Sequence, residues 1–152
     1  MSVEIPIIFK PNLLPNFSQV EQSISSAGFD LKLESFDLRS DSGFRPATLF
    51  GAPAGFEYFL SEPEESELEQ FLGSTKEDLC IRLITHADLN EFISSLLFAS
   101  IICNITQGRM IDPDSGKVIS ADQSIAWAHS MLEPDPKPIA NPEKPWWRRW
   151  WA

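Results

Sequence analysis

A largely apolar segment in the second half of the chain constrains the fold more than any other feature. Leu79–Thr85 (LCIRLIT) has the character of a strand in the centre of a sheet. Asp88 and Glu91 then form a capping box, and apolar residues recur at helical spacing until Gly108. We predict a central strand followed by a long core helix, whose inward residues are Leu89, Phe92, Ile93, Leu96, Leu97, Ile101 and Ile105.

Shorter strand and helix patterns surround this segment. Capping boxes at Ser18–Glu21 and Ser120–Gln123 predict two further helices, and a short acidic helix is expected after Ser61. Strands are predicted over residues 3–10 (with Pro6 marking an edge or irregularity), 30–36, 45–52 and 55–61, with a tight turn at Pro53–Gly55 and a hairpin around Pro113–Gly116. We therefore predict one α+β domain, residues 1–133, with a mainly antiparallel sheet and three to four helices.

The chain changes character after Glu133. Five of its 12 prolines lie between Pro134 and Pro145, which predicts an extended segment over residues 134–152. This tail ends in Trp146, Trp147, Arg148, Arg149, Trp150 and Trp151. Indole rings at this density favour docking, and four occupants are open: an apolar groove of the same chain, a second copy, a lipid headgroup region or a protein partner.

Charge narrows the classes of partner. The chain has 12 Lys and Arg against 22 Asp and Glu, a formal charge of −10. Such a surface repels phosphate backbones and anionic lipid, so we expect no nucleic-acid binding. Hydrophobic residues make up 43% of the chain, enough for a core without a structural metal. Cys80 and Cys103 lie within apolar runs and are interpreted as small buried hydrophobes, so no metal or cofactor is predicted.

An acidic cluster is the most informative surface feature. Its members are Glu62, Glu64, Glu65, Glu67 and Glu69, followed by Glu77 and Asp78 at its edge. One interpretation is a solvated face of a surface helix. The other is a docking surface for a basic protein, because opposite charge accelerates association.

Catalytic signatures are scarce. The sequence has none of the common nucleophile, phosphate-loop or metalloprotease motifs. His86, with Asp88 or another carboxylate, is the one candidate for an enzyme, although a histidine at such a strand–helix junction also serves local hydrogen bonding. His129 is expected on a half-exposed helix face. We predict a binding protein that is not an enzyme.

The expected compartment is the cytoplasm. The first residues, MSVEIPIIFK, include an acid and lack the basic start and cleavage site of a signal peptide. The longest apolar stretch, Phe92–Ile105, is too short and too polar to span a bilayer, which takes about 20 residues. We therefore expect no stable membrane insertion. A membrane-surface accessory protein, tethered weakly by its Trp/Arg tail, remains an alternative.

Residues 79–132 resemble a group of small bacterial proteins. The shared pattern is a strand, an apolar helix that starts at Asp88-Leu-Asn-Glu91, Thr106-Gln-Gly108, Asp112-Pro-Asp-Ser-Gly116 and a closing helix after Ser120. Several such proteins are immunity proteins, which neutralise toxins delivered by contact-dependent or type VI secretion systems. The resemblance implies stoichiometric inhibition of one cognate toxin, carries no catalytic residue and covers about a third of the chain.

A chain that ends at Glu133 is expected to remain folded and monomeric. The five prolines beyond it lack amide donors, so the tail can join neither a helix interior nor a central strand. Size exclusion and thermal melting of the full-length and shortened chains measure this. A shortened chain that melts without a cooperative transition, or that aggregates, would show that the tail belongs to the core.

Overall fold

Residues 2–132 are described by the computed structural model, and the predicted tail lies outside them. They form seven strands and four α-helices. The strands are β1 (Ser2–Phe9), β2 (Leu31–Leu33), β3 (Gly43–Leu49), β4 (Ala52–Ser61), β5 (Leu79–His86), β6 (Arg109–Ile111) and β7 (Val118–Ser120). The helices are α1 (Phe17–Ala27), α2 (Glu65–Gln70), α3 (Leu89–Ile105) and α4 (Ala121–Leu132), and Pro11–Leu13 form one 3₁₀ turn.

The strands form a single antiparallel sheet. Its order is β2-β3-β4-β5-β1-β6-β7, and every neighbouring pair runs antiparallel. The predicted α+β class with a mainly antiparallel sheet is therefore confirmed. The apolar strand β5 is fourth of seven, as its sequence predicts, because a strand buried in the middle of a sheet needs apolar residues on both faces.

Pro6 lies at a local free edge of the sheet, as predicted, although its strand β1 is not an edge strand. The strand lies inside the sheet, paired over its whole length with β5. On its other side β6 pairs only with Ile7 and Ile8. The N-terminal half of β1, Ser2–Pro6, thus has a free edge, and a proline is tolerated there because no second neighbour requires its missing amide hydrogen.

Helices α1, α3 and α4 cover one face of the sheet. The residues predicted to face inward do lie in the core, but every other residue of α3 from Phe92 to Cys103 is buried as well, so the helix has no solvent face there. Its serines Ser94, Ser95 and Ser100 are buried too, and each hydroxyl donates to a carbonyl one turn earlier, at 2.7–2.8 Å. A helix with no solvent face must be enclosed by neighbours, here the sheet beneath it and α1 and α4 beside it.

The opposite face of the sheet is only partly covered. The segment that carries α2 crosses it, and Phe71 packs there with Ile8 and Ile111 in a second, smaller core cluster. Away from that cluster the face is open: Phe44 is 47% exposed, and its register partner Glu57 is half-buried. The helical layer therefore makes the two faces of the sheet chemically different.

Two local predictions are wrong, both for reasons of backbone geometry. Helix α1 is capped by Asn16, which exchanges hydrogen bonds with Gln19, so the box predicted at Ser18–Glu21 lies inside the helix. The β3–β4 turn lies at Phe50 and Gly51, both with positive φ, rather than at Pro53–Gly55. Such paired positive φ values suit a two-residue hairpin, and the prolines nearby are strand residues.

Other local predictions need smaller changes. The strand predicted over residues 30–36 is shortened to Leu31–Leu33, while the hairpin around Pro113–Gly116 is confirmed between β6 and β7. Asp88 caps α3 by accepting from the Glu91 amide at 3.0 Å, as predicted. Within residues 2–132, each helix falls short of the length and apolar character that crossing a membrane requires.

Replacing Phe98 by Ala should lower the free energy of unfolding by about 3–5 kcal/mol, since a fully buried aromatic ring is deleted. Phe98 packs against Phe56, with ring centroids 4.7 Å apart, and against Tyr58 and Phe36. The matched control is Phe50→Ala at the β3–β4 turn, where the side chain is 57% exposed, with an expected loss below about 1 kcal/mol. Urea denaturation measures both. Equal losses would contradict the packing of α3 on the sheet.

Candidate functional site

A buried ion pair organises the open face of the sheet. Arg82 lies on β5 between Ile81 and Leu83, whose side chains enter the main core, so the strand alternation directs its guanidinium to the opposite face. There it meets Glu67 of α2: Nε donates to Oε2 at 2.8 Å, and Nη2 contacts Oε1 closely. Only 9% of the Arg82 side chain and 5% of the Glu67 side chain are exposed.

The same pair ties α2 to the chain that precedes it. Glu67 also completes the capping box of α2, because its Oε1 accepts from the Glu64 amide at 2.7 Å. Arg82 donates in addition to the Ser61 hydroxyl and, at 3.1 Å, to the Glu62 carbonyl. One guanidinium thus holds the end of β4, the loop after it and the first turn of α2 in one arrangement.

Burial changes the electrostatics of this cluster. Burial by itself disfavours the charged form of Arg82, but hydrogen bonding and attraction to Glu67 and the charge of Glu64 outweigh it and raise its pKa. The pKa of Glu4 is raised, first by burial and then by repulsion from Glu67 and Glu64, with Arg82 opposing the shift. Glu4 Oε1 lies 3.7 Å from Arg82 Nε. Three carboxylates, those of Glu4, Glu64 and Glu67, thus lie within 4.0 Å of the single guanidinium of Arg82.

Two members of the predicted acidic cluster are not available to a partner, which corrects that prediction. Glu67 is 4% exposed and Asp78 is 5% exposed. Asp78 accepts from Lys10 Nζ at 2.7 Å and from the Thr75 amide at 3.0 Å. Burial alone would raise the pKa of Asp78, but these hydrogen bonds and the nearby cationic charges of Lys10 and Arg109 lower it. Both carboxylates hold the fold together.

The other five members of the cluster lie on the surface. Their side chains belong to residues that are all exposed: Glu62, Glu64, Glu65, Glu69 and Glu77. They stand on and around α2, on the side of the sheet that the helical layer leaves open. The structure therefore has an acidic surface with five exposed acids, fewer than the sequence predicts. Arg82 holds it in place through its hydrogen bonds to Glu67 and to the Glu62 carbonyl.

A groove of about 400 Å³ borders this surface, and we call it the acidic groove. Its three walls are the free edge of β1, helix α2 and the β6–β7 hairpin. Four carboxylate residues line it, namely Glu4, Glu64, Glu67 and Asp112. The groove is suited to a cationic side chain from another molecule, because Arg82 neutralises only one of its four carboxylates. The unpaired backbone groups along the free edge of β1 could also form hydrogen bonds with a partner.

His86 does not line this groove, but it lies next to it at the end of β5, where it is the register partner of Ser2. Its Nε2 is 2.7 Å from Glu57 Oε2, and its side chain is 63% exposed. Of the carboxylates expected from sequence, Asp88 caps α3, and the partner of His86 is the other kind allowed, a nearby carboxylate, Glu57. The pair provides a proton acceptor, but it lies in water, whereas acid–base groups act best where water is excluded.

His129 and the cysteines have structural environments. His129 Nε2 is 2.8 Å from the Ala27 carbonyl, and its ring packs on Phe29. Cys80 and Cys103 are free and buried, as predicted, and burial raises the pKa of both thiols, that of Cys103 to about 12. Across residues 2–132, no three His, Cys, Asp or Glu side chains are grouped so as to hold a metal ion.

Sequence reasoning missed the two residues on which the acidic groove depends. Arg82 is the only charged residue between Leu79 and Thr85, and a charge inside an apolar strand signals a buried partner. Glu4 is the only acid in the first strand, but its position beside Arg82 follows from the pairing of β1 with β5. The sequence thus indicated that Arg82 has a buried partner, but it did not show which acidic residue lies beside it.

Comparison of the chain with models of protein families, with curated proteins and with solved structures found no match. The resemblance of residues 79–132 to immunity proteins therefore stays a hypothesis.

Removing one member of the buried pair should destabilise the fold strongly. Glu67→Ala or Arg82→Met is each expected to lower the free energy of unfolding by about 3 kcal/mol, because the remaining charge stays buried without its partner. The double variant should lose less than the sum of the two. The control, Glu69→Ala on the same helix, should change stability by less than about 0.5 kcal/mol. Urea denaturation at pH 7 measures all four; additive losses would contradict the coupling.

Proposed function

We propose that this chain is a cytoplasmic, non-enzymatic binding protein that neutralises a basic bacterial toxin by stoichiometric binding, as immunity proteins do. The observation that carries the proposal is the acidic groove together with the exposed acids around α2. Both lie on the face of the sheet that the helices leave uncovered, where a protein partner has access.

The overall charge supports a basic partner. Residues 2–132 contain 8 Lys and Arg against 19 Asp and Glu, a formal charge of −11. A field of this sign repels nucleic acid and attracts cationic proteins, and it raises association rates from about 10⁵–10⁶ M⁻¹s⁻¹ toward 10⁸ M⁻¹s⁻¹ at low salt. Inhibition of a toxin benefits from such a rate because the inhibitor must bind before damage is done.

The groove offers specificity in addition to charge. Arg82 and Glu67 hold α2 in place, so Glu64 and the acids beside it are positioned before a partner arrives. Preorganised groups lose little conformational entropy on binding. A cation that enters the groove would also favour the ionised form of Glu4, whose pKa is raised in the free protein. Binding should therefore tighten as pH rises through the titration of Glu4.

The resemblance of residues 79–132 to immunity proteins supports the same function. The shared region supplies the central strand, the core helix and the β6–β7 hairpin, and that hairpin forms one wall of the acidic groove. The resemblance thus includes part of the proposed binding surface as well as the core.

A second candidate, a small enzyme, rests on the contact of His86 with Glu57 at 2.7 Å. The pair could accept a proton from a substrate at the open end of β5. Its exposure counts against it, since catalytic pairs act best where water is excluded. Its test is the replacement of both His86 and His129 by Gln, which should leave protection unchanged if the chain acts by binding.

The test begins with the product of the adjacent gene. Co-expression of this chain should rescue a bacterial host from that product, and the two purified proteins should form a 1:1 complex. Glu64→Gln, Glu65→Gln and Glu69→Gln together should lower the association rate about tenfold at low salt and far less at 0.5 M, where charges are screened within a few ångströms. Stopped-flow kinetics measure the rates.

The matched control carries the same change of charge elsewhere. Glu34→Gln, Asp41→Asn and Asp122→Asn are exposed positions outside the acidic groove, and together they should change the rate less than threefold. Equal effects of the two triple variants would show that net charge, not this surface, attracts the partner. A complex with unchanged kinetics in both variants, or protection lost with His86→Gln/His129→Gln in a stable protein, would overturn the proposal.

A further inference from the structure

A second groove lies at the other end of the sheet, between α1 and β2. We call it the α1–β2 groove; its volume is about 400 Å³. Its apolar lining includes Phe17, Ile24, Phe29, Leu31 and Leu33. It runs beside an edge strand, since β2 pairs only with β3, so the outer backbone edge of β2 is uncovered by any described residue.

The described part of the chain ends close to this groove. His129 of α4 contacts the Ala27 carbonyl at 2.8 Å and packs on the Phe29 ring at a centroid distance of 4.7 Å. Leu132, the last described residue, lies less than one helical turn further along α4. The tail therefore begins less than one helical turn after His129, which packs on a residue of the groove, Phe29.

The tail is long enough to return to the groove from this starting point. Residues 133–145 precede the first tail tryptophan, and about 13 residues at about 3.1 Å each in a proline-rich chain span about 40 Å. A domain of this size has a radius of gyration of about 14 Å, so the tail can reach any groove on its surface.

Charge at the rim of the groove matches the end of the tail. Glu21 and Asp30 stand on the rim with one cation, Lys32. Residues 143–152 contain Lys144, Arg148 and Arg149 against a single acid, Glu143, and so carry a formal charge of +2. The apolar lining is suited to indole rings, each of which buries about 150–250 Å².

We propose that the Trp146–Trp151 segment docks within the same molecule into the α1–β2 groove, with indole rings on Phe17 and Leu33, the half-buried apolar residues of its lining, and the arginines near Glu21 and Asp30. Indole rings that do not enter the groove cover the free edge of β2. Proline-rich chain is tolerated beside a sheet edge, because no continuous ladder is required there. The proposal is independent of toxin binding.

The acidic groove is the competing place for the tail. It carries more negative charge, through Glu4, Glu64 and Asp112, since Arg82 neutralises Glu67, but fewer apolar side chains line it. Arginine alone would favour the acidic groove, whereas tryptophan favours the α1–β2 groove. Because the segment has four tryptophans against two arginines, burial of apolar surface contributes more to docking than charge does.

Disulfide trapping in the full-length chain tests the proposal. Ala152→Cys is combined either with Ser25→Cys in the α1–β2 groove or with Ser66→Cys in the acidic groove; both serines are exposed. The native Cys80 and Cys103 are fully buried and should stay reduced. We expect intramolecular disulfide to form at least tenfold faster with Ser25→Cys than with Ser66→Cys, as judged by non-reducing electrophoresis and mass spectrometry.

Three other outcomes of the trapping experiment would place the tail elsewhere. Equal rates would show an undocked tail, faster trapping at Ser66→Cys would place it in the acidic groove, and disulfide-linked dimers would indicate exchange with a second copy; each overturns the proposal. In the Ser25→Cys protein, Glu21→Gln with Asp30→Asn should slow trapping several-fold. The control pair, Glu34→Gln with Asp41→Asn, should leave its rate within twofold.

Discussion

The burial of α3 on every side is the constraint on which the rest of the structure depends. A helix without a polar face cannot lie at the surface, so α1 and α4 must flank it and the sheet must close it from below. All three long helices are thereby drawn to one face of the sheet. The opposite face is left for the chain between β4 and β5, which covers only part of it.

That partial cover explains the position of the buried Arg82–Glu67 pair. A six-residue helix has little stability of its own, and α2 is held by Phe71 on one side and by Glu67 on the other. The ion pair is not required for the stability of the protein as such, since an apolar pair of the same volume could give an equal free energy of unfolding. Its effect is to fix where α2 lies, and with it the exposed acids.

The predictable parts of the structure are those encoded by local spacing. The central position of β5, the Asp88 cap and the β6–β7 hairpin follow from residues within a few positions of one another. The candidate site was predicted only in part. The five exposed acids were identified by their density in sequence, but the burial of Glu67 and Asp78 depends on Arg82 and Lys10, which lie 15 and 68 residues away.

The sequence by itself determined the α+β class, the long core helix after β5 and the strongly acidic character of the chain, because composition is independent of the fold and periodicity is set by neighbouring residues. The tertiary structure decided which carboxylates became structural and which stayed on the surface. It also brought Glu57 to His86 and left β1 with a half-free edge. Those outcomes depend on strand order and register, which join residues that no local pattern relates.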